Sequence, residues 1–526
     1  MDPVHAQAAL MIERAQIGHA QQVLQDAEAI LRGPTGDLVD GAPAIHFARV
    51  IALSVLCEYR RAIAGAEVMA VAARREDDAG WLSAALSLRA EKRLLLGELE
   101  ASEHDVDAAL RDLVEAEIVL RRGVPDPFVA GHAHTGVGLG YSQLRLFELA
   151  APHFQAAYDS SRRSDWDGGD GCMWLLNLTH LHLNWALELH RVGQPDEAAA
   201  HYRQAEVHAA AAHDAASGPD DECWRDLGHL LGACARAGAD DPAAALVDIE
   251  HYGRKVEDAG IEVEYTGTAP FHAVALSRTG HQQRALALIE RAIANLAPTA
   301  PWTAVAACHH THVELLAAVG SPDARAALAY GDTLAQALWR QRERTLHIAQ
   351  TMQSYESLRV DHERVAQSAL TDPLTGMANR RAFDEAVARL RDFRTADQPV
   401  GVLLVDLDRF KEVNDTLGHD AGDLVLCQVA AALTANLREG DLVARRGGDE
   451  FAALLPGATL AAAHRVAARM VAAVDAIEGC LVTASIGIAG SVGGAVEDAV
   501  RKADLAMYAA KRGGGNRVSL GSGSAA

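Results

Sequence analysis

The 526-residue sequence is poor in aromatic residues and in positive charge. Aromatic residues make up 5% of it, and 48 Lys and Arg face 71 Asp and Glu, a formal net charge of −23. The electrostatic field of a protein with a large negative charge repels phosphate polymers and anionic lipid surfaces. We therefore expect neither nucleic acid nor membrane as a partner, and we expect any phosphate chemistry to be local and assisted by a metal ion.

Cysteine, signal and membrane patterns are also lacking. The seven cysteines are odd in number and scattered without a CxxC pair, which excludes a disulfide framework and is typical of reduced thiols. The first residues, MDPVHAQAALMIERAQ, lack a basic-then-apolar signal, and no apolar run reaches about 20 residues. No Walker-type phosphate loop is present either. These absences predict a cytoplasmic protein.

The composition changes towards the last third of the chain. All seven tryptophans lie between Trp81 and Trp339, which predicts a domain boundary near residues 340–370. Before it, Ala- and Leu-rich stretches with helical spacing alternate with short Gly, Pro and Asp breaks, without β-branched alternation. Residues 1–330 are therefore predicted to be all-α.

A helix–turn–helix pattern recurs in this part. The predicted turn residues Gly193, Gly238, Gly280 and Gly320 are 45, 42 and 40 residues apart, the range of stacked helical hairpins. This spacing predicts a solenoid, and we hypothesise that a protein or peptide binds in its concave face. A non-repeating helical bundle is the alternative, because any amphipathic helix shows apolar stripes.

Three small–large–small triplets at i, i+4 and i+7 resemble the tetratricopeptide repeat, in which small residues let paired helices approach closely. They are Ala150/Phe154/Ala157, Ala198/Tyr202/Ala205 and Ala285/Ile289/Ala292.

Residues 331–370 are predicted to form one connecting helix, because the main part of this stretch is charged and free of Gly and Pro. Apolar and small side chains repeat there with 3-4 spacing, at Leu338, Thr345, Ile348, Met352 and Tyr355. This seam favours a two-stranded coiled coil. A single solvated helix is equally compatible with the flanking charges.

The last third reads as β-α-β-β-α-β, the order of a ferredoxin-like α+β sheet, for which we expect helices on one face. In that topology the strand GVLLVDLD, which carries Asp406, lies beside the second strand of a hairpin that turns at Gly447-Gly448. Asp406 then comes close to Asp449 and Glu450.

Carboxylates so close together repel one another unless a hard divalent cation neutralises them, which predicts an Mg²⁺ (or Mn²⁺) site. The paired glycines let a phosphate approach backbone N–H groups. Taken alone, such a turn is equally typical of an ordinary hairpin.

Four segments together resemble the diguanylate cyclase (GGDEF) family over residues 371–520, leaving 521–526 as a flexible tail. They are DPLTGMANRRAF, VDLDRFKEVNDTLGHDAGD, RRGGDEF and ADLAMYAAKRGGGNRV. The resemblance implies a nucleotidyl cyclase-like fold and a homodimer that joins two GTP into cyclic di-GMP with release of two pyrophosphates.

The resemblance also implies residue roles. Metal ligands would be Asp406, Asp449 and the Leu407 backbone, and catalytic residues would be Asp449, Glu450 and Lys411. Guanine and phosphates would contact Asn414, Asp423, Phe410, Lys511, Gly447 and Gly448. Taken singly, each has an ordinary explanation as a cap, a core residue or a helix-end charge.

Two further positions bear on regulation and competence. Arg438 and Asp441 have the RxxD form of the family's inhibitory product site, although helix capping is an alternative explanation. Gly515 stands where many family members have a phosphate-binding Arg, for which Arg512 or Arg517 is a candidate substitute. The competing hypotheses are a catalytically weak or inactive domain that acts as a cyclic di-GMP receptor, and a scaffold with a vestigial cyclase.

Overall fold

The computed structural model of the chain describes residues 3–32, 42–100, 104–163, 170–216, 222–238, 241–259, 267–297, 300–392, 398–477, 479, 481–491 and 496–521. The chain divides into two compact units, Met1–Ser357 and Leu358–Ala526. Of the predicted tail 521–526, all but Gly521 lies outside the described residues. Within the described residues, no helix combines the length and the apolar character that a bilayer crossing needs.

The first unit is built from helices, as predicted. A π-helical segment, Ala15–His19, joins the first two. The α-helices are α1 Pro3–Arg14, α2 Ala20–Leu31, α3 Pro43–Val55, α4 Tyr59–Arg75, α5 Ala79–Glu100, α6 His104–Leu120, α7 Pro127–Gln143, α8 Phe147–Ser161, α9 Asp170–Arg191, α10 Pro195–Ala215, α11 Glu222–Gly238, α12 Pro242–Asp258, α13 Ala269–Arg278, α14 Gln282–Ala294, α15 Trp302–Ala318 and α16 Pro322–Ser368.

Small side chains let these helices pack closely. Consecutive helices contact one another from α7 to α15, and all three predicted triplets are buried. Gly193, Gly280 and Gly320 have positive φ in interhelical turns, as a turn glycine requires. Gly238 differs from the prediction, because it ends α11 with a β-carbon position only 2.6 Å from the Tyr202 ring. The missing side chain of Gly238 therefore lets the Tyr202 ring lie close to the backbone of α11, and Gly238 does not form a turn.

Helix α16 spans 47 residues, covers nearly all of the predicted connecting segment and begins before it. Its buried face includes Ala335, Trp339, Arg342 and Ala349, and this face packs on the first unit. The predicted seam is mostly on other faces, since Ile348 and Tyr355 are 53% and 66% exposed. One face of α16 is therefore buried, unlike a single helix that is exposed to solvent on every side. The two-stranded coiled coil, in which the seams of two copies would pair, stays a prediction.

The second unit contains a mixed six-stranded sheet in the order β1-β3-β4-β2-β5-β6. Strand β2 lies between β4 and β5 and is antiparallel to both, as the ferredoxin-like prediction requires. The strands are β1 Ala378–Asn379, β2 Val400–Asp408, β3 Leu442–Gly447, β4 Glu450–Pro456, β5 Thr483–Ser491 and β6 Arg517–Leu520. The helices are α17 Arg380–Asp392, α18 Phe410–Leu417, α19 His419–Thr434, α20 Leu460–Asp475 and α21 Val496–Arg512.

Helices cover both faces of this sheet, so the expectation of helices on one face was wrong. Leu403, Val405 and Leu407 of β2 pack with α18, α19 and α20. Val402 and Leu404 pack on the other face, with α17 and α21. Because side chains alternate along a strand, Asp406 belongs to the same face as Val402 and Leu404. Asp406 therefore faces the side of α21.

Gly487 permits the close packing of α21 on β5. A β-carbon there would lie 2.0 Å from the Ala503 carbonyl oxygen and 2.2 Å from the Met507 nitrogen. Both are backbone atoms, so relief requires the whole helix to move.

We expect Gly487→Ala to destabilise the second unit by about 1–3 kcal/mol, the usual range for overpacking. Gly490→Ala on the same strand is the matched control, because its β-carbon would meet Leu460 at an ordinary 3.6 Å. Tryptophan fluorescence does not report on this unit, since no tryptophan follows Trp339. Hydrogen exchange of the β5 amides is the measurement, and equal exchange in the two variants would contradict the assignment.

Candidate active site

Three carboxylates lie at the end of β2. The sheet register pairs Asp406 of β2 with Glu450 of β4, and the Leu407 amide donates to the Asp449 carbonyl oxygen at 3.3 Å. Asp406 is buried, whereas Glu450 is exposed and Asp449 lies between these extremes. The residues that the sequence predicted to converge are therefore brought together at one sheet edge.

The site concentrates negative charge. Burial raises the pKa of Asp406 to about 6, and the charges of Asp449 and Glu450 add to this rise. Lys511, in the last turn of α21, opposes it through an ion pair with Asp406 Oδ1. This lysine therefore lies against a carboxylate, and its ammonium group supplies positive charge where the acids converge.

A hard cation fits these residues. Within the described part of the chain, no three His, Cys, Asp or Glu side chains form a ready metal cluster. Mg²⁺ does not require one, because it keeps several waters and binds through one or two carboxylates together with substrate phosphates. Burial is the main cause of the raised pKa of Asp406, and the charges of Asp449 and Glu450 add to it, so a cation at this place would favour the ionised carboxylate.

The Gly447-Gly448 turn is held by a clamp that sequence reasoning missed. The two glycines have φ of +144° and +56°, which a side chain would strain. Arg445 donates from Nε and Nη2 to the Gly448 carbonyl oxygen at 3.0 and 2.9 Å. Its Nη1 donates to Asp372 Oδ1 at 3.1 Å. Asp372 also accepts from the backbone and hydroxyl of Thr375, so the DPLTG loop fixes the turn.

Asp408 was also missed by sequence reasoning. It accepts hydrogen bonds from Thr483 and Ser485 on β5 and from the Asn516 backbone, at 2.7 to 2.8 Å. It therefore ties β2 to the loop after α21. The sequence feature that could have identified Asp408 is its position as the second acid of VDLD, at the end of β2.

The candidate phosphate and guanine residues surround the junction of α18 and α19. Phe410 is buried, Lys411 and Asp423 are exposed, and Asn414 is half-buried. A β-carbon at Gly422 would lie 2.0 Å from Asn414 Oδ1, so the side-chain amide of Asn414 can occupy this position only because residue 422 is a glycine. Asn414 is thus held next to the residue that precedes Asp423.

Arg438 and Asp441 face each other in the turn after α19. Arg438 Nε donates to Asp441 Oδ1 at 3.3 Å, and Nη2 donates to the Pro456 carbonyl oxygen at 2.7 Å. The Asp441 side chain is 5% exposed and that of Arg438 is 64% exposed. The guanidinium remains accessible although it is paired.

Both arginines near Gly515 contact groups of their own helix or loop. The Arg512 guanidinium lies 4.9 Å from the Tyr508 ring centre, and Arg517 Nε donates to the Gly515 carbonyl oxygen at 3.1 Å. Gly515 itself has φ of +73°, and a β-carbon there would lie 2.8 Å from Asp408. The conformation of this loop therefore requires a glycine at position 515.

Arg445→Ala is expected to loosen the glycine turn by removing the hydrogen bonds of this side chain to Gly448 and Asp372. Hydrogen exchange at the Leu407 amide, which donates to the Asp449 carbonyl oxygen beside the clamped Gly448, should accelerate by about tenfold or more, the equivalent of one lost charge-assisted bond. Arg446→Ala is the matched control, since Arg446 lies over the Phe383 ring instead. Unchanged exchange in Arg445→Ala would show that the clamp does not hold the turn.

Gly515→Arg is expected to destabilise the second unit by about 1–2 kcal/mol rather than to restore a phosphate contact, because a side chain is strained at positive φ. Gly515→Ala should lose nearly as much. Gly513→Ala is the control, because Gly513 lies outside the left-handed region and its nearest neighbour is the flexible Arg517 side chain. Hydrogen exchange of β6 measures the effect, and a more stable Gly515→Arg variant would refute it.

Comparison with known proteins places this unit in a family. The model "Diguanylate cyclase, GGDEF domain" matches residues 369–517. Diguanylate cyclase DgcP of Pseudomonas aeruginosa is 41% identical over 162 residues, which are 29% of this chain and 24% of that protein. Diguanylate cyclase TpbB of the same species is 44% identical over 165 residues, which are 30% of this chain and 38% of that protein.

One solved structure contains the coiled coil and GGDEF domain of DgcB from Caulobacter crescentus in complex with c-di-GMP. It shares 31% identity and covers 33% of this chain and 97% of its own, with a TM-score of 0.31. The chain spans less than two fifths of either curated relative. By the match of the family model, residues 369–517 are a GGDEF domain of the diguanylate cyclase family.

Proposed function

We propose that the chain is a diguanylate cyclase that condenses two GTP into cyclic di-GMP and two pyrophosphates. The observation that carries this proposal is the convergence of Asp406, Asp449 and Glu450 beside a glycine turn, within a domain that matches the family. Such an arrangement suits a triphosphate, whose charge requires both cations and unobstructed backbone amides.

The reaction forms one phosphodiester bond for each GTP. The 3′-hydroxyl of one GTP attacks the α-phosphorus of the other, the α–β anhydride bond breaks, and pyrophosphate leaves. Asp449 accepts the hydroxyl proton, and Glu450 completes the acidic set. Two domains must meet, because each holds one nucleotide, and orientation of the two reactants supplies much of the acceleration.

Mg²⁺ or Mn²⁺ would be held by Asp406, Asp449 and the Leu407 carbonyl, and it would neutralise the phosphates and the leaving pyrophosphate. Lys511 is paired with Asp406, and phosphate binding would draw it away from that carboxylate. Lys411, Phe410 and the turn residues Gly447 and Gly448 complete the phosphate surroundings.

Guanine recognition belongs to Asn414 and Asp423. A carboxylate can accept from N1–H and the exocyclic amine of guanine, and an amide offers both a donor and an acceptor. The position of Asn414 against Gly422, one residue before Asp423, supports their acting together.

The product site at Arg438 and Asp441 is part of the proposal. The exposed Arg438 guanidinium can pair with phosphate or stack on guanine, while Asp441 orients it. Cyclic di-GMP bound there would restrain the cyclase.

The first unit is proposed to be a tetratricopeptide-like repeat region that controls dimerisation in response to a protein or peptide ligand. The buried triplets and the packing of consecutive helices support this. Helix α16 leads in sequence from this unit to the GGDEF domain, so its position can govern how two domains meet. A cytoplasmic location follows from the same proposal.

Asp449→Asn is expected to reduce cyclic di-GMP formation from GTP and Mg²⁺ by roughly 10²–10⁴-fold, the usual cost of losing a general base. Product formation by the purified full chain is measured chromatographically. Asp504→Asn, which changes an exposed acid on α21, is the matched control and should retain activity.

Calorimetry separates the receptor hypothesis from this one. A pure receptor binds cyclic di-GMP through Arg438 but does not bind GTP, and its wild type forms no product. That combination would refute the proposed activity.

A further inference from the structure

An open cavity of about 490 Å³ lies within the first unit, among α9, α10, α13 and α15. Its apolar wall includes Leu187, Tyr202, Phe271, Val274 and Leu315. The volume falls in the range of sites for small organic molecules, roughly 300–1,000 Å³. Nothing in the cyclase chemistry uses this cavity.

The cavity wall is positively charged, although the whole chain carries −23. Arg191 and Arg278 line it, and Glu314 is the one carboxylate among its lining residues. His190 Nε2 and His310 Nδ1 each lie 3.4 Å from Glu314. Burial opposes ionisation of Glu314, but these two histidines outweigh it and lower its pKa to about 2. Glu314 is paired with the two histidines, and Arg191 and Arg278 outnumber it in the cavity wall. Arg278 Nη1 also donates to the Ala237 carbonyl oxygen at 2.9 Å.

Arg191 is only partly satisfied. Its Nη1 lies 3.4 Å from Glu188, and Glu188 is already ion-paired with Arg145. The Arg191 Nε is buried and has no hydrogen-bond partner among the described residues. A buried donor without an acceptor is costly, so this guanidinium has capacity for an additional anionic oxygen.

We propose that this cavity binds a small organic carboxylate, with the carboxylate on Arg191 and Arg278 and an apolar body against Phe271, Val274 and Leu315. Charge complementarity selects an anion, because guanidinium groups bind carboxylates in well-defined geometry. The apolar wall and the two aromatic rings select a hydrophobic remainder over a sugar or an inorganic ion. A volume of about 490 Å³ favours a free small molecule over a folded partner.

The same arginine connects the cavity to α16. Glu188 joins Arg191 to Arg145, and Arg342 of α16 donates from Nε to the Arg145 carbonyl oxygen at 2.8 Å. Arg342 also pairs with Glu148 and lies 4.4 Å from the Trp339 ring centre. A carboxylate on Arg191 releases its share of Glu188, which alters the surroundings of Arg145 and then of α16. This regulatory step rests on the proposed cyclase function, whereas the binding site does not.

Calorimetric titration of the full chain with 4-phenylbutyrate, octanoate and benzoate tests the site. At least one should bind with a Kd below about 1 mM, and 4-phenylbutanamide, which lacks the charge, should bind at least about tenfold more weakly. Absence of binding by all three acids, or equal binding of acid and amide, would overturn the proposal. A peptide that ends in Phe-COO⁻ and binds while all three acids fail would also overturn it.

Variants locate the binding. Arg278→Gln and Arg191→Gln should each weaken the best acid by about tenfold or more. Val274→Trp should block it by filling the cavity. Arg203→Gln, an exposed position on α10, is the matched control and should bind as the wild type does. Arg278→Gln covers the case in which Arg191→Gln fails to fold, because Arg278 is exposed. Wild-type affinity in Arg278→Gln and Val274→Trp would place the acid elsewhere.

Cyclase rate provides a separate readout. The best acid should change the rate of cyclic di-GMP formation by the wild type and leave Val274→Trp unaffected. Binding without a rate change would refute the connection to α16 but not the site, and an inactive cyclase that still binds the acid would refute only the proposed function.

Discussion

The burial of Asp406 beside Asp449 and Glu450 is the constraint around which the candidate site is arranged. The fold places a buried carboxylate against two others at one sheet edge, which is unfavourable without positive charge nearby. Lys511 supplies that charge from α21, and α21 reaches it because Gly487 lets the helix lie against β5. The close packing of α21 on β5 at Gly487, which lies opposite Leu404 of β2, therefore helps to place Lys511 beside Asp406.

A second charge network organises the first unit. Arg145 and Arg191 share Glu188, and Arg342 pairs with Glu148 and donates to the Arg145 carbonyl oxygen. These contacts connect α16 to the helices around the cavity. Buried ion pairs contribute little net stability but fix geometry, because a misplaced partner leaves a buried charge unpaired. Such a network suits a region whose proposed role is to convey an input to the helix that leads to the GGDEF domain.

Much of the second unit was predictable from its sequence. The order of strands and helices, the hairpin at Gly447-Gly448 and the approach of Asp406 to Glu450 follow from motif spacing and from the rules of sheet topology. The helices on both faces were not predicted, although β2 contained the indication. A nearly continuous apolar strand such as GVLLVDLD is buried on both sides, whereas a strand covered on one side alternates.

Other features depended on contacts that spacing does not reveal. The Arg445–Asp372 clamp joins residues 73 positions apart, and nothing local to either residue indicates the other. Gly238 was assigned to a turn because turns favour glycine, yet its position reflects the ring of Tyr202. The seam on α16 was read from apolar spacing alone, and the buried face of that helix carries Arg342, which pattern reading excludes from a core.

Anomalous diffraction from crystals of the full chain grown with Mn²⁺ and a non-hydrolysable GTP analogue can locate a divalent cation held by the acids of the candidate site against the nucleotide. If they hold it, a manganese peak should lie in contact with Asp406, Asp449 and the phosphates, and Asp406→Asn should show no peak there. A nucleotide bound without metal at these residues, or a peak that persists in Asp406→Asn, would contradict this role of the acids.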